Sequence, residues 1–462
     1  MIMQDVLERF TKDAPVCVMM RAALENVFAA ESLDVLFEKN AEQQRSGELL
    51  FSVVADMMAA VVCQIHPSIN AAYRAQGDQI NVTVKSVYDK LSGIESAVSR
   101  SMVTETAGRM TTIIEKMGGT RRELLPGYRI KYLDGNHLRR TDRRIDELRK
   151  INGAPLPGQA LVVFDPQFML ATDVIPCEDG HAQERSLLPQ ILEIVQRGEV
   201  WVADRNFCTA SFLFGIMARS AHFIIREHAT SPARELVGRR RKVCKSNTGT
   251  VYEQKLRILD SKGNERLIRR ITVKLHEPTR DGETEIHILT NLPKKVSPLA
   301  IADLYGTRWT IETAFQEMAE NLDSEIQTLG YPKAALFGFC MGLVAYNVLS
   351  VVKAAIRAAH GEKAAEKFST YYMADEIAGT YRGMMIAVPE HYWTKQFSHL
   401  TPRQLARVLV SIAKGIRLSR YAKNPWRAKK KPDKPMNKKK RNHVSTARIL
   451  EKRKQTATAA KC

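Results

Sequence analysis

Two aspartates stand where apolar, strand-like runs stop: Asp134 closes Arg129-Ile-Lys-Tyr-Leu-Asp134, and Asp204 closes Glu199-Val-Trp-Val-Ala-Asp204. A side chain at the C-terminal end of a strand emerges at the sheet edge, the usual place for a site in an open α/β sheet. Carboxylates placed there can share hard divalent cations, which prefer oxygen ligands. An Asp after a strand is also an ordinary turn residue, so neither acid decides the matter alone. A third acid, Glu312, lies in Tyr305-Gly-Thr-Arg308-Trp309-Thr-Ile-Glu312. Arg308 and Glu312 are four apart and share one face of a helix, with Tyr305 one turn further back. A plain surface Arg–Glu pair beside an aromatic fits this spacing. So does phosphodiester chemistry, which needs carboxylates for metal, an Arg for phosphate and an aromatic face for an unstacked base.

The charge balance favours the second reading. The 462 residues carry 70 Lys+Arg against 50 Asp+Glu, a net +20, and nucleic acid is the commonest partner for such a chain. From Arg427 to Cys462 there are 14 Lys+Arg and 2 Asp+Glu, a net +12 that leaves +8 for the preceding residues. This tail is expected to be disordered and to clamp phosphates. A second basic cluster is Arg239, Arg240, Arg241 and Lys242, with Lys245 close by. The seven cysteines show no CxxC pair or finger spacing, and the N-terminus is acidic where a leader would be basic. Together these point to a reducing, cytoplasmic setting without disulfides. Cys177-Glu-Asp179-Gly-His181 reads as a polar turn rather than a zinc loop, and His137 as a neighbour of Asp134 rather than a ligand.

The elements that must position these groups change in texture along the chain. Residues 1–125 read as a helical domain, with apolar residues such as Leu24, Val27 and Phe28 at helical spacing and a nearly uncharged run from Leu49 to Ile65. The run from Asn81 to Leu91 reads either as the second helix of a helix-turn-helix or as an ordinary amphipathic helix. After Pro126-Gly127, strands at 129–134, 160–164, 170–175, 199–204 and 222–225 alternate with helices at 187–195 and 210–218, the pattern of a mixed sheet flanked by helices. Residues 229–296 break that pattern with short polar strands and read as a β-rich insertion. From Leu299 the chain is helical until the tail, with 361–426 a helical C-terminal region. Ala334 to Val352 holds no charge over the length a bilayer needs, but it contains Gly338, Gly342, Tyr346 and Asn347, as a helix buried inside a protein does.

The segments Tyr-Leu-Asp134-Gly, Val-Ala-Asp204-Arg-Asn-Phe207 and Tyr305-x2-Arg308-x3-Glu312 resemble, in order, the three signature blocks of DDE transposases of the insertion-sequence-four family. The last block of that family is Y-x2-R-x3-E-x6-K. The family has a ribonuclease H-like core interrupted by a β-strand insertion between the second Asp and the Glu. Here that gap is 108 residues, 312 minus 204, and the 229–296 stretch fills it. The resemblance covers about residues 126–360. One position departs from it: the closing Lys falls at Ala319, and Lys333 or a cation of the insertion is the expected substitute.

The resemblance implies a bacterial DNA transposase acting as a homodimer on terminal inverted repeats and target DNA. It implies that Asp134, Asp204 and Glu312 are catalytic and hold two Mg²⁺ ions, with Mn²⁺ able to substitute. Tyr305, Arg308, Trp309 and the Arg239–Lys242 cluster would contact DNA. Two other readings share these residues: a structure-selective nuclease on the same core, and a transposase-derived DNA-binding protein without catalysis.

Overall fold

The computed structural model describes residues 2–77, 80–230, 232–279, 282–424 and 442–459. Its spine is a nine-stranded sheet in the order β4-β3-β1-β5-β6-β10-β9-β8-β7. The strands are β1 (Arg129–His137), β3 (Gln159–Asp165), β4 (Leu170–Cys177), β5 (Glu199–Ala203), β6 (His222–Arg226), β7 (Ala233–Lys245), β8 (Gly249–Leu259), β9 (Glu265–Leu275) and β10 (Glu285–Thr290). A short β2 (Ala154–Leu156) lies outside this sheet. β1 runs parallel to β5 and antiparallel to β3, and β5 runs parallel to β6. This mixed sheet, with helices on both faces, is the ribonuclease H-like α+β architecture expected of the core.

Burial follows strand alternation. Tyr132, Val162, Val200, Val202 and Ile224 point to one face, and Leu133, Leu161, Trp201, Ala203 and Ile225 to the other. The second face is covered by two helices, Leu188–Ile194 and Ala210–Ala218, which bury Leu188, Ile191, Phe212, Leu213 and Ile216. Thr209 caps the latter by accepting from the Phe212 amide.

The first face carries the helical mass. At its centre is the 29-residue helix Pro332–His360, long and apolar enough to cross a bilayer, whose apolar window is wholly buried. Its polar residues explain themselves by contact. Asn347, fully buried, accepts from the Ala171 amide and donates to the Ala171 carbonyl, both at 2.8 Å, and so satisfies an edge position of β4. Gly342 lets the helix approach Ser324, since a Cβ there would sit 2.5 Å from the Ser324 Cβ.

The helices Pro15–Val27, Phe51–Val62 and Ser96–Met117 pack on this central helix together with Pro402–Lys414, all within one continuous apolar core. The expected boundary near residue 125 therefore does not divide two cores. Each of these helices has a wide apolar face that finds its cover in the C-terminal half. The Asn81–Leu91 region forms the helix Val84–Gly93, capped by Thr83, with Val87 and Leu91 buried and contacts to the central helix.

The 229–296 stretch is β-rich, as expected, with strands longer than the short pieces its sequence suggests. It does not stand apart: β10 pairs antiparallel with β6, and β9, β8 and β7 follow, so the stretch extends the core sheet. Nor is the whole basic end disordered. His443–Ser445 pairs parallel with β2, and Thr446–Ala459 is helical, with Arg448 on Asp179 at 2.8 Å and Arg453 on Glu147 at 2.9 Å. Acids of the body supply the partners that composition does not reveal. The rest of the expected tail, 427–441 and 460–462, lies outside the described residues.

Candidate active site

The register of β1 and β5 decides where the first two acids go. These parallel strands pair from Arg129↔Glu199 to Leu133↔Ala203, so Asp134 and Asp204 are the next residues on adjacent strands. Strand alternation sends both to the face that holds Tyr132 and Val202. Asp134 is not the end of its strand, as expected, because β1 continues to His137 against β3. It is the point where β1 leaves β5. Asp204 is the first residue beyond β5 and leads into the turn Arg205–Phe207.

Glu312 arrives from the opposite layer. Ser297 caps and Pro298 opens the helix Pro298–Gly306, and a second helix runs from Trp309 to Asn321. Between them Thr307 and Arg308 form a turn, with the Arg308 amide donating to the Tyr305 carbonyl at 3.1 Å. The expected single helix is thus broken at Arg308. The break is fastened to the sheet: Thr307 donates to the Leu304 carbonyl at 2.6 Å, which leaves its oxygen to accept from the Tyr132 hydroxyl, also at 2.6 Å. Tyr132 lies two residues before Asp134, so one hydroxyl contact sets the height of Arg308 and Glu312 above the sheet.

Arg308 joins the acids. One guanidinium nitrogen lies 3.2 Å from Asp134 Oδ2 and the other 2.7 Å from Glu312 Oε1. The residue is only 5% exposed, which excludes the expected alternative of a surface pair. Burial opposes its charge, but Tyr305, Asp134, Glu312 and Asp204 together hold its pKa above the usual arginine value. Asp134 is less well compensated. Burial pushes its carboxyl up to about 7; Arg308 works against this, and Glu312 and Glu184 add to it.

The aromatics split in role. Tyr305 is 8% exposed, and burial followed by the nearby Asp204 raises its hydroxyl to about 12. It therefore has no free face for a base, contrary to expectation. Trp309 is 61% exposed, with the Arg308 guanidinium 5.1 Å from its ring centre.

The donor set of Asp134, Asp204 and Glu312 is all carboxylate oxygen, which suits a hard divalent cation. Among the described residues no three such side chains are gathered closely enough to hold an ion as they stand. Arg308 is wedged between two of them, a cation in the place where the carboxylates converge. The donor chemistry fits a hard divalent cation, and as the side chains stand Arg308 holds that charge instead.

The basic cluster lies elsewhere, on β7 at the far edge of the sheet. Arg240 is engaged by Glu285 at 2.9 and 3.1 Å and lies 4.1 Å from the Tyr252 ring centre, and Arg241 pairs with Glu253 at 3.1 Å. Arg239 and Lys242 have no ion pair among the described residues. Of the positions tied to the missing Lys, Ala319 borders a cavity of about 240 Å³ that Arg139 also lines, whereas Lys333 lies near Glu95 and helps keep that acid ionised.

Residues 127–348 match the transposase DDE domain family. This segment, a little under half of the chain, is similar to transposase DDE domains. Its limits enclose all three acids and the whole sheet, and end within the central helix. The chain is also 29% identical, over 205 residues, to a curated relative from Sinorhizobium fredii named "Putative transposase y4zB". That alignment takes in 44% of this chain and 55% of the relative, so the chain spans about half the length of the protein it matches.

Two further residues lie beside these three acids, and sequence reasoning does not single them out. Glu184, on a 3-10 turn, reaches Asn206 and the backbone at Gly135. Asn206 lies inside the Val-Ala-Asp204-Arg-Asn-Phe207 block, but Glu184 stands in no motif. The glycine after Asp134 was its one local trace.

Proposed function

We propose that this chain is a metal-dependent DNA transposase that hydrolyses phosphodiester bonds at element ends and joins the freed 3′-hydroxyls to target DNA. The observation that carries this reading is the convergence of Asp134 and Asp204, side by side on parallel strands, with Glu312 across one bridging arginine. Asp134, Asp204 and Glu312 would hold two Mg²⁺ ions. When bound, such ions supply Lewis acidity at the scissile phosphate and an acidified nucleophile.

The chain's own residues do the rest. Asp134, with its carboxyl raised to about 7, releases a proton as it becomes a ligand. Arg308 leaves Asp134 and Glu312 for a phosphate oxygen, one cation exchanging with another so that the acids are never left uncompensated. The planar guanidinium suits a phosphate better than an ammonium would. Trp309 offers an exposed ring to a displaced base. Arg239 and Lys242 on β7 would hold DNA backbone away from the reacting bond, on a homodimer that brings two ends together.

The test is nicking of supercoiled plasmid in Mg²⁺ or Mn²⁺, followed by joining of a pre-cut 3′-hydroxyl end to a second duplex. Nicking with joining is expected. Nicking without joining would leave a nuclease, and neither reaction with wild-type protein in either metal would overturn the proposal.

A further inference from the structure

Glu184 belongs to no recognised block, yet it sits where β1 and the turn after β5 meet. Its side chain is 16% exposed. One carboxylate oxygen accepts from the Asn206 side-chain amide, two residues after Asp204. The other lies 3.7 Å from His137 Nδ1 and only 2.0 Å from where a Cβ on Gly135 would be, one residue after Asp134. Arg185 adds a second hold on the same turn, donating from Nε to the Asn206 carbonyl at 2.6 Å. The segment is itself anchored to the sheet. Gln159, buried on β3 opposite His137, donates to the Ala182 carbonyl at 2.6 Å and to the Asp179 carbonyl at 3.3 Å.

We infer that Glu184 is a positioning residue for the carboxylate pair: it fixes the Asp204 turn against the Asp134 strand, so that both side chains face one ion. The inference rests on the proposed metal-holding role of Asp134 and Asp204. The backbone pairing of β1 and β5 ends at Leu133↔Ala203, so no ladder hydrogen bond sets the spacing of the next two residues. Glu184 supplies that tie from the side. Gly135 leaves the space that the carboxylate occupies, so a side chain there would displace Glu184. Groups that orient the ligands of a metal are commonly worth about 10–100-fold in its affinity.

The experiment is calorimetric titration of Mn²⁺ into the full-length protein without DNA, beside melting and plasmid nicking, for wild type, Asp134→Asn, Glu184→Ala, Glu184→Gln, Gly135→Ala and Gly135→Ala with Glu184→Ala. Glu184→Ala is expected to weaken Mn²⁺ binding about tenfold, with excess metal restoring most of the nicking rate. Glu184→Gln keeps an acceptor for Asn206 and should lose less. Gly135→Ala should weaken Mn²⁺ about tenfold alone but add less than about twofold to Glu184→Ala, since the clash is then gone. A merely structural role predicts lower melting with wild-type Mn²⁺ affinity, and that result overturns the inference. So do additive effects of the Gly135 and Glu184 substitutions. If wild type binds Mn²⁺ with this dependence but does not nick DNA, the transposase reading fails and the positioning role stands. Wild type that does not bind Mn²⁺ overturns both.

Discussion

Arg308 and Arg240 both hold carboxylates, but in different surroundings. Arg308 bridges Asp134 and Glu312 with 6% of its side chain exposed, whereas Arg240 pairs with Glu285 at 32% exposure on the edge strand of the extended sheet. In the first case the acids come from two layers of the fold, and burial keeps water from the guanidinium. In the second, the partner comes from β10, three strands along the same sheet, and water competes for it. Exposed pairs are worth about 0–1 kcal/mol, while removing one member of a buried pair costs about 3–5 kcal/mol unless the survivor can neutralise itself. The same chemical contact is thus a constraint in one region and a surface detail in the other.

The largest expected effect separates the two regions outright. Asp134→Asn, Asp204→Asn and Glu312→Gln should each lower Mg²⁺-dependent nicking by at least about 10³-fold, a loss of about 4 kcal/mol in transition-state stabilisation, with gel-shift affinity for DNA nearly retained. One variant nicking at the wild-type rate would remove that acid from the site.

Next is Arg308→Ala. It should cut nicking at least about tenfold, with Arg308→Lys recovering part of it. It should also lower the melting temperature, more at pH 8 than at pH 6. The sign follows from Asp134, whose folded pKa of about 7 exceeds its ordinary value. At pH 6 its carboxyl is largely protonated and needs no partner; at pH 8 it is ionised and buried, and Arg308 is what compensates it. Equal destabilisation at both pH values would show that Asp134 does not govern the cost.

The same raised pKa makes a gentler prediction about the metal. Because the protonated carboxyl must ionise to become a ligand, Mn²⁺ affinity measured by calorimetry should rise up to about tenfold per pH unit below pH 7 and level off above it. A flat profile between pH 6 and 8 would exclude Asp134 as a ligand.

The smallest effect concerns the edge strand. Arg239→Ala with Lys242→Ala should make the salt dependence of DNA binding shallower by about 2 in log–log slope, about 0.9 for each phosphate no longer neutralised. Arg240→Ala, already paired with Glu285, should change the slope less. If Arg240 moved it as much as the other two together, the exposed pair would be opening to bind DNA, and the contrast with Arg308 would sharpen.

Much of the core was legible because strand and helix periods differ. The runs 160–164, 170–175, 199–204 and 222–225 lie on β3, β4, β5 and β6 to within two residues at each end. The three acids stand out in the sequence because each follows or sits in a recognisable block. Other features were not. Tyr305 at helical spacing from Arg308 could not be told from an exposed aromatic, since exposure depends on what the opposite layer brings. The helical end at 446–459 was hidden by its charge, because Asp179 and Glu147, which receive Arg448 and Arg453, are hundreds of residues away.

The sequence by itself determined the alternation of strands and helices, the order of the three acids and the basic character of the chain, because each depends on residues within a few positions of one another. Tertiary structure alone decided that Asp134 and Asp204 stand level, that Arg308 lies between Asp134 and Glu312, and that Glu184 leans on Gly135. Strand register, the depth at which Thr307 meets Tyr132, and the burial that raises the Asp134 carboxyl all arise where distant segments pack together. No local spacing encodes a distance across layers, and the electrostatics of a buried carboxylate follow from that distance.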